Sequence, residues 1–156
     1  MDPFPHIYTA SASGAQSGTV LVSAAGLPEL TSAPAPQFGG PGTLWSPEAM
    51  LAASIADCFI MTFRAVSGAA LFRWIRLECR VDGILTRLKR QTQFTDFALH
   101  AALTIAPGTD AAKAQRLLRQ TERSCLIINS LKGGHTLRTS VLSGSVGDNG
   151  TASGIA

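Results

Sequence analysis

Residues 46–67, "SPEAMLAASIADCFIMTFRAVS", constrain the fold of this chain more than any other segment. Ser46 is a good N-cap, Pro47 suits the first helical position, and Glu48 favours the positive end of the helix dipole. The helix that starts there is expected to run to about Ser67, before Gly68. Its middle is apolar on nearly every side. A helix of that kind is a core helix that other elements wrap. The small residues Ala52, Ala53, Ser54 and Ala56 let those elements approach closely.

The segments around it read mainly as strands. "HIYTASASG" (6–14) and "TVLVSAAGL" (19–27) predict a hairpin turning at "AQSG", and a short strand is expected near Leu30 to Ala33. Pro34, Pro36, Gly39, Gly40, Pro41 and Gly42 then forbid regular structure, so the loop is either mobile or held by specific contacts. Two large rings sit in or beside it, Phe38 and Trp45. They either plug the edge of the core or roof a pocket.

"RWIRLECRVDGILTRL" (73–88) alternates, with Trp74, Arg76, Glu78, Arg80 and Asp82 on one face and Ile75, Leu77, Cys79 and Val81 on the other. "QFTDFALHAALTIAP" (93–107) pairs with it as a second hairpin. A helix follows, capped by Thr109 or Asp110, with Leu117, Leu118 and Cys125 inward and Gly133–Gly134 at its end. "HTLRTSV" is a last strand. The fold class is therefore α+β, an antiparallel sheet with two long helices. Residues 1–143 are expected to form one domain, and the small, polar stretch 144–156 a disordered tail.

Hydrophobic residues make up 46% of the 156 and charged residues 15%. So little charge suggests that apolar surface is covered by a second chain. The net charge of +3 does not imply nucleic-acid binding, because the basic residues do not cluster with aromatics; "RLKRQ" (87–91) reads as a solvated hairpin tip. "MDPFPHIYTA" has neither the basic nor the apolar region of a signal peptide. The apolar run 49–63 falls short of the roughly 20 residues of a membrane span. A cytoplasmic protein with no membrane partner is expected. In that compartment a disulfide is more often catalytic or redox-sensing than structural.

Cys79 lies on the apolar face of its strand and reads as a small buried hydrophobe. No C-x₂-C pair occurs, and His6, His100 and His135 are dispersed, so neither a metal nor another cofactor is expected. Cys58 and Cys125 fall within the two helices, which can pack face to face. On spacing alone they are either two core cysteines or a redox pair.

"FGGPGTLWSPEAMLAASIADCFIMTFRA" together with "ERSCLIINSL" resembles the OsmC/Ohr family of bacterial thiol-dependent peroxidases. The shared pattern is a Gly-rich loop, Ser-Pro-Glu at a helix start, a cysteine ten residues after the Glu, and a second cysteine followed closely by Asn-Ser-Leu. "PFPHIYTA" is similar to the start of one subgroup of small OsmC-like proteins. The resemblance implies an intertwined homodimer with active sites at the subunit interface. It also implies that Cys58 is peroxidatic, that Cys125 is resolving, and that an external dithiol, in the family often a lipoyl group, reduces the disulfide. Thiolate attack on an organic hydroperoxide and condensation of the sulfenic acid with a second thiol suit that pairing. Ile55, Phe59, Met61, Phe38 and Trp45 are then candidates for the organic part of the substrate.

Apolar burial opposes a thiolate, and Cys58 lies too deep in its helix for the dipole to help. The family uses an arginine held by the helix-start glutamate, which Glu48 matches. The arginine's place in the first hairpin turn is taken by Gln16, and no Arg or Lys precedes Arg64. Arg138 or a partner-chain residue is the candidate substitute; without one, Cys58 is expected to be less activated. Three readings follow: a thiol peroxidase using Cys58, Cys125 and Glu48, a non-catalytic dimer binding a small apolar molecule, or a slow thiol redox sensor.

Overall fold

The computed structural model describes residues 3–145. From 146 on, the tail expected over 144–156 lies outside the described residues. The chain forms two compact units, Met1–Leu51 and Ala52–Ala156.

The first unit is a three-stranded antiparallel sheet, β1 (Ser11–Gly14), β2 (Val20–Ser23) and β3 (Leu30–Ser32), in that order. Its strands are shorter than the alternation of 6–14 and 19–27 suggested. The Pro/Gly loop beyond β3 is held rather than loose. The amides of Phe38 and Gly40 both donate to the Ala35 carbonyl, at 2.8 and 3.1 Å, around a 3-10 turn at Pro36–Phe38. Gly40 is required here, since a Cβ on it would collide with the Pro34 carbonyl oxygen. Ala33 N donates to Trp45 O at 2.9 Å, which returns the chain alongside β3 just before the first helix.

That helix, α1 (Pro47–Ala69), starts where its signals place it. Ser46 Oγ accepts from Ala49 N at 3.2 Å, the N-cap bond expected of this residue. At 23 residues α1 outruns the apolar stretch 49–63, and by length and composition it meets the requirement for a membrane span. Its buried row, Ile55, Phe59, Phe63 and Ser67, is spaced four residues apart and packs inside the second unit. Trp74 fixes the end of that row. Its ring stands edge-on to Phe63 at 5.3 Å, and its Nε1 donates to Ser67 Oγ at 3.0 Å.

The second unit also holds β4 (Arg76–Leu88), β5 (Gln91–Ile105), α2 (Ala111–Ser124), α3 (Leu126–Asn129) and β6 (Gly134–Ser143). β4 and β5 pair antiparallel around a two-residue turn, Lys89-Arg90, in which both residues take positive φ. This is the hairpin tip expected at 87–91. β5 is central, and Phe97, Leu99, Ala101, Leu103 and Ile105 bury one face with period two. Antiparallel pairing holds for β1–β2–β3 and for β4–β5. β6 departs from it and runs parallel to β5. A parallel neighbour needs a crossover of a dozen or more residues, and α2 with α3 provides it. Asp110 is the N-cap of α2, its side chain accepting from Lys113 N at 2.8 Å.

Candidate functional site

Cys58 is carried on α1 between the buried Ile55 and Phe59 and is itself partly buried. Its Sγ lies 3.9 Å from Thr62 Oγ1, one turn on. Ile55 and Phe59 are fully buried core residues, which corrects the expectation that they bind substrate. Met61 remains 52% exposed, and Arg64 donates to its sulfur at 3.4 Å.

Cys125 does not sit within a helix. It is the C-cap of α2 and the N-cap of α3, with φ −70° and ψ 111°. The break frees the Arg123 carbonyl, and Asn129 Nδ2 donates to it at 2.9 Å. Helix resumes with Asn129 N donating to Cys125 O at 3.1 Å. Cys125 is fully buried, and its thiol interacts electrostatically with Cys58. Burial pushes the Cys125 thiol up to about 11; the Ile128 and Ile127 amides pull the other way, and Cys58 adds to the rise.

Cys79, on β4, is pushed up to about 12 by burial first and then by Cys125. It is thus electrostatically coupled to Cys125, which its strand position did not reveal. The break at Cys125 was also missed. Its one sequence signal is Asn129-Ser130, residue types that favour caps and turns over helix interiors.

The other predicted residues lie elsewhere. Gln16 is exposed in the β1–β2 turn. Arg138 is exposed on β6, in register with His100. Glu48 occupies the first turn of α1, in the first unit, where it lines a cavity of about 500 Å³ with Ala12, Val20, Val22, Ala33 and Phe38. Its Oε2 is buried without a hydrogen-bond partner. Phe38 (55% exposed) and Trp45 (47% exposed) do not plug a core; Phe38 borders this cavity. Among the described residues, no group of three or more His, Cys, Asp or Glu side chains could hold a metal ion.

The family model described as OsmC-like protein matches residues 40–140. No curated protein matches the chain. Among solved structures, an OsmC-like protein of unknown function from Vibrio cholerae superposes with a TM-score of 0.79 at 13% identity, covering 87% of this chain and 100% of that one. An organic hydroperoxide resistance protein OsmC, a predicted redox protein from Legionella pneumophila, gives 0.71 at 25% identity, covering 90% and 99%. One from Elizabethkingia anophelis, also named an organic hydroperoxide resistance protein, gives 0.72 at 20% identity, covering 90% and 99%.

Proposed function

The chain belongs to the OsmC-like protein family, and from that premise we propose that it is a thiol peroxidase reducing organic hydroperoxides through Cys58 and Cys125. The observation that carries this reading is the nearness of the two thiols, close enough that Cys58 raises the pKa of Cys125. Two neighbouring sulfurs need only a local shift to form a disulfide. Support also comes from the Legionella pneumophila protein, named for organic hydroperoxide resistance.

In this mechanism the Cys58 thiolate attacks the terminal oxygen of the hydroperoxide, and the O–O bond breaks. The departing alkoxide takes up a proton and leaves as the alcohol, with Cys58 oxidised to a sulfenic acid. The Cys125 sulfur then displaces hydroxide from the Cys58 sulfur. The proton lost by Cys125 converts that hydroxide to water, and a disulfide remains. An external dithiol reduces it by exchange and is itself oxidised. A Cys125 that stays protonated in the resting protein does not compete with Cys58 for the peroxide, since only the thiolate is a strong nucleophile. Gln16 supplies a neutral donor where the family has a cation, so turnover is slower than an arginine would allow. Glu48 is read as the acidic anchor of the cation that replaces it.

The active form is a homodimer. Only four of the 23 residues of α1 are fully buried within one chain, although the helix is apolar nearly all round. A second copy covering α1 removes that exposure. Light scattering at micromolar concentration tests this, and a monomer there overturns it.

Stopped-flow oxidation of the reduced protein by cumene hydroperoxide and by hydrogen peroxide tests the chemistry, with mass spectrometry of the product. A rapidly formed Cys58–Cys125 disulfide, faster with the organic peroxide, is the expected result. Oxidation no faster than that of a free thiol would sink the reading.

A further inference from the structure

The outer side of α2 carries a row of like charge that its own fold leaves largely uncompensated. Lys113, Arg116, Arg119 and Arg123 follow one another at spacings of three or four residues, so each is a surface neighbour of the next. Like charges at those spacings weaken a helix. The helix dipole favours only Arg123, in the last turn; it disfavours Lys113, in the first. The acids of the segment offset little of this. Glu122 Oε1 lies 3.7 Å from His135 Nε2. Asp110, already the N-cap, reaches Arg116 alone, at 3.8 Å. Lys113 Nζ donates to the Ala70 carbonyl at 3.1 Å. Arg119 and Arg123 are exposed, and among the described residues neither guanidinium has an ion-pair or hydrogen-bond partner.

Between these side chains runs a groove of about 400 Å³, lined by Lys113, Arg116, Leu117, Arg119, Gln120 and Arg123. No lining residue is acidic and none is aromatic. We propose that this groove binds an oligophosphate, a short linear chain of phosphate groups. Its volume lies within the range of small-molecule sites. Guanidinium forks match phosphate oxygens two at a time, and a lysine adds a point charge. From Lys113 to Arg123 the helix rises about 15 Å. One phosphate meets a pair of these cations, whereas a chain of them meets the row. With no ring to stack on a base, recognition stops at the phosphates. Inorganic chains and the tail of a nucleotide therefore present the same chemistry to the groove.

Calorimetric titration of the full chain with tripolyphosphate, inorganic phosphate and ATP tests this. Tripolyphosphate is expected to bind saturably and at least about tenfold more tightly than phosphate, a factor worth about 1.4 kcal/mol. ATP is expected to bind no more tightly than tripolyphosphate. Arg119→Gln combined with Arg123→Gln is expected to weaken tripolyphosphate at least about tenfold. Arg87→Gln combined with Arg90→Gln removes the same charge from the exposed hairpin tip and is expected to leave the affinity within about twofold, because the ligand is held by contact rather than by net charge. Amide chemical shifts of the wild-type chain locate the site even if a variant fails to fold; tripolyphosphate is expected to move Arg116, Arg119, Gln120 and Arg123. No saturable binding, equal affinity for phosphate and tripolyphosphate, equal losses in the two double variants, or shifts confined to other residues would each overturn the proposal. So would tighter binding of ATP, which would mean that the nucleoside is read, or of a thymidine oligonucleotide, which would make the row a nucleic-acid surface. None of these readouts involves a thiol, so its failure and that of the peroxidase reading are distinguishable.

Discussion

The thiols of Cys58 and Cys125 are interacting neighbours in the second unit, one from the middle of α1 and one from the break between α2 and α3, and Cys58 raises the pKa of Cys125. Sixty-seven positions of sequence separate them. Cys58 is placed by α1 and Cys125 by the break that ends α2.

If Cys125 resolves the sulfenic acid of Cys58, its removal leaves that acid exposed to further attack. Cys125→Ser treated with excess cumene hydroperoxide should accumulate sulfinic acid at Cys58, visible by peptide mass spectrometry, while wild type stops at the disulfide. Cys58→Ser should lose rapid peroxide consumption altogether. An inert Cys125→Ser would remove Cys125 from the mechanism.

The raised thiols make alkaline pH destabilising. Cys125 keeps its proton up to about pH 11 in the folded chain, and Cys79 up to about pH 12. Unfolded, a thiol gives it up near pH 8.5. Between those values the folded state binds more protons, so stability falls as pH rises and is fully present only below the unfolded pKa. The slope is at most about 1.4 kcal/mol per pH unit for each thiol. Urea midpoints of the reduced protein from pH 8 to 11 should show this decline. Cys125→Ala should show a shallower one.

Phe63 is fully buried and meets Trp74 edge-on. Phe63→Ala removes a whole ring from a packed site and should cost about 3–5 kcal/mol. Thermal or denaturant unfolding measures it. Trp74 reports the same change locally, since its fluorescence should red-shift as water reaches the indole.

Asp110 caps α2 through Lys113 N. Asp110→Ala should cost about 1 kcal/mol and leave the rate of Cys58 oxidation within twofold of wild type. A large loss of rate without a loss of stability would mean that α2 positions Cys125 through its start as well as its end.

Gly40 has no room for a side chain against Pro34. Gly40→Ala should break the bond from Gly40 N to Ala35 O and loosen residues 34–42. Hydrogen exchange at the Phe38 and Gly40 amides should accelerate more than at β5 amides such as Leu99.

Local chemistry was legible wherever one residue decides one feature. Ser46, Pro47 and Glu48 start α1 because capping and dipole effects act within a single turn. Alternation placed β4 and β5, since a half-buried strand writes its period into the chain. The helix-start pattern and the two cysteines also pointed to the family, which the match over residues 40–140 bears out. Three features lay beyond that reach. The direction of β6 depends on the path of the crossover, and a short alternating run looks the same read parallel or antiparallel. The break at Cys125 depends on where α2 stops burying side chains, while Ala114, Leu117, Leu118, Thr121, Cys125 and Ile128 keep helical spacing through it. The orphaned Glu48 oxygen depends on which groups the fold brings near it, and sequence lists residues without saying which of them meet. Sequence by itself determined what each segment would become, because propensity and periodicity are local. Only tertiary structure decided which sulfur faces which and which carboxylate stands alone, because those follow from burial and contact between distant segments.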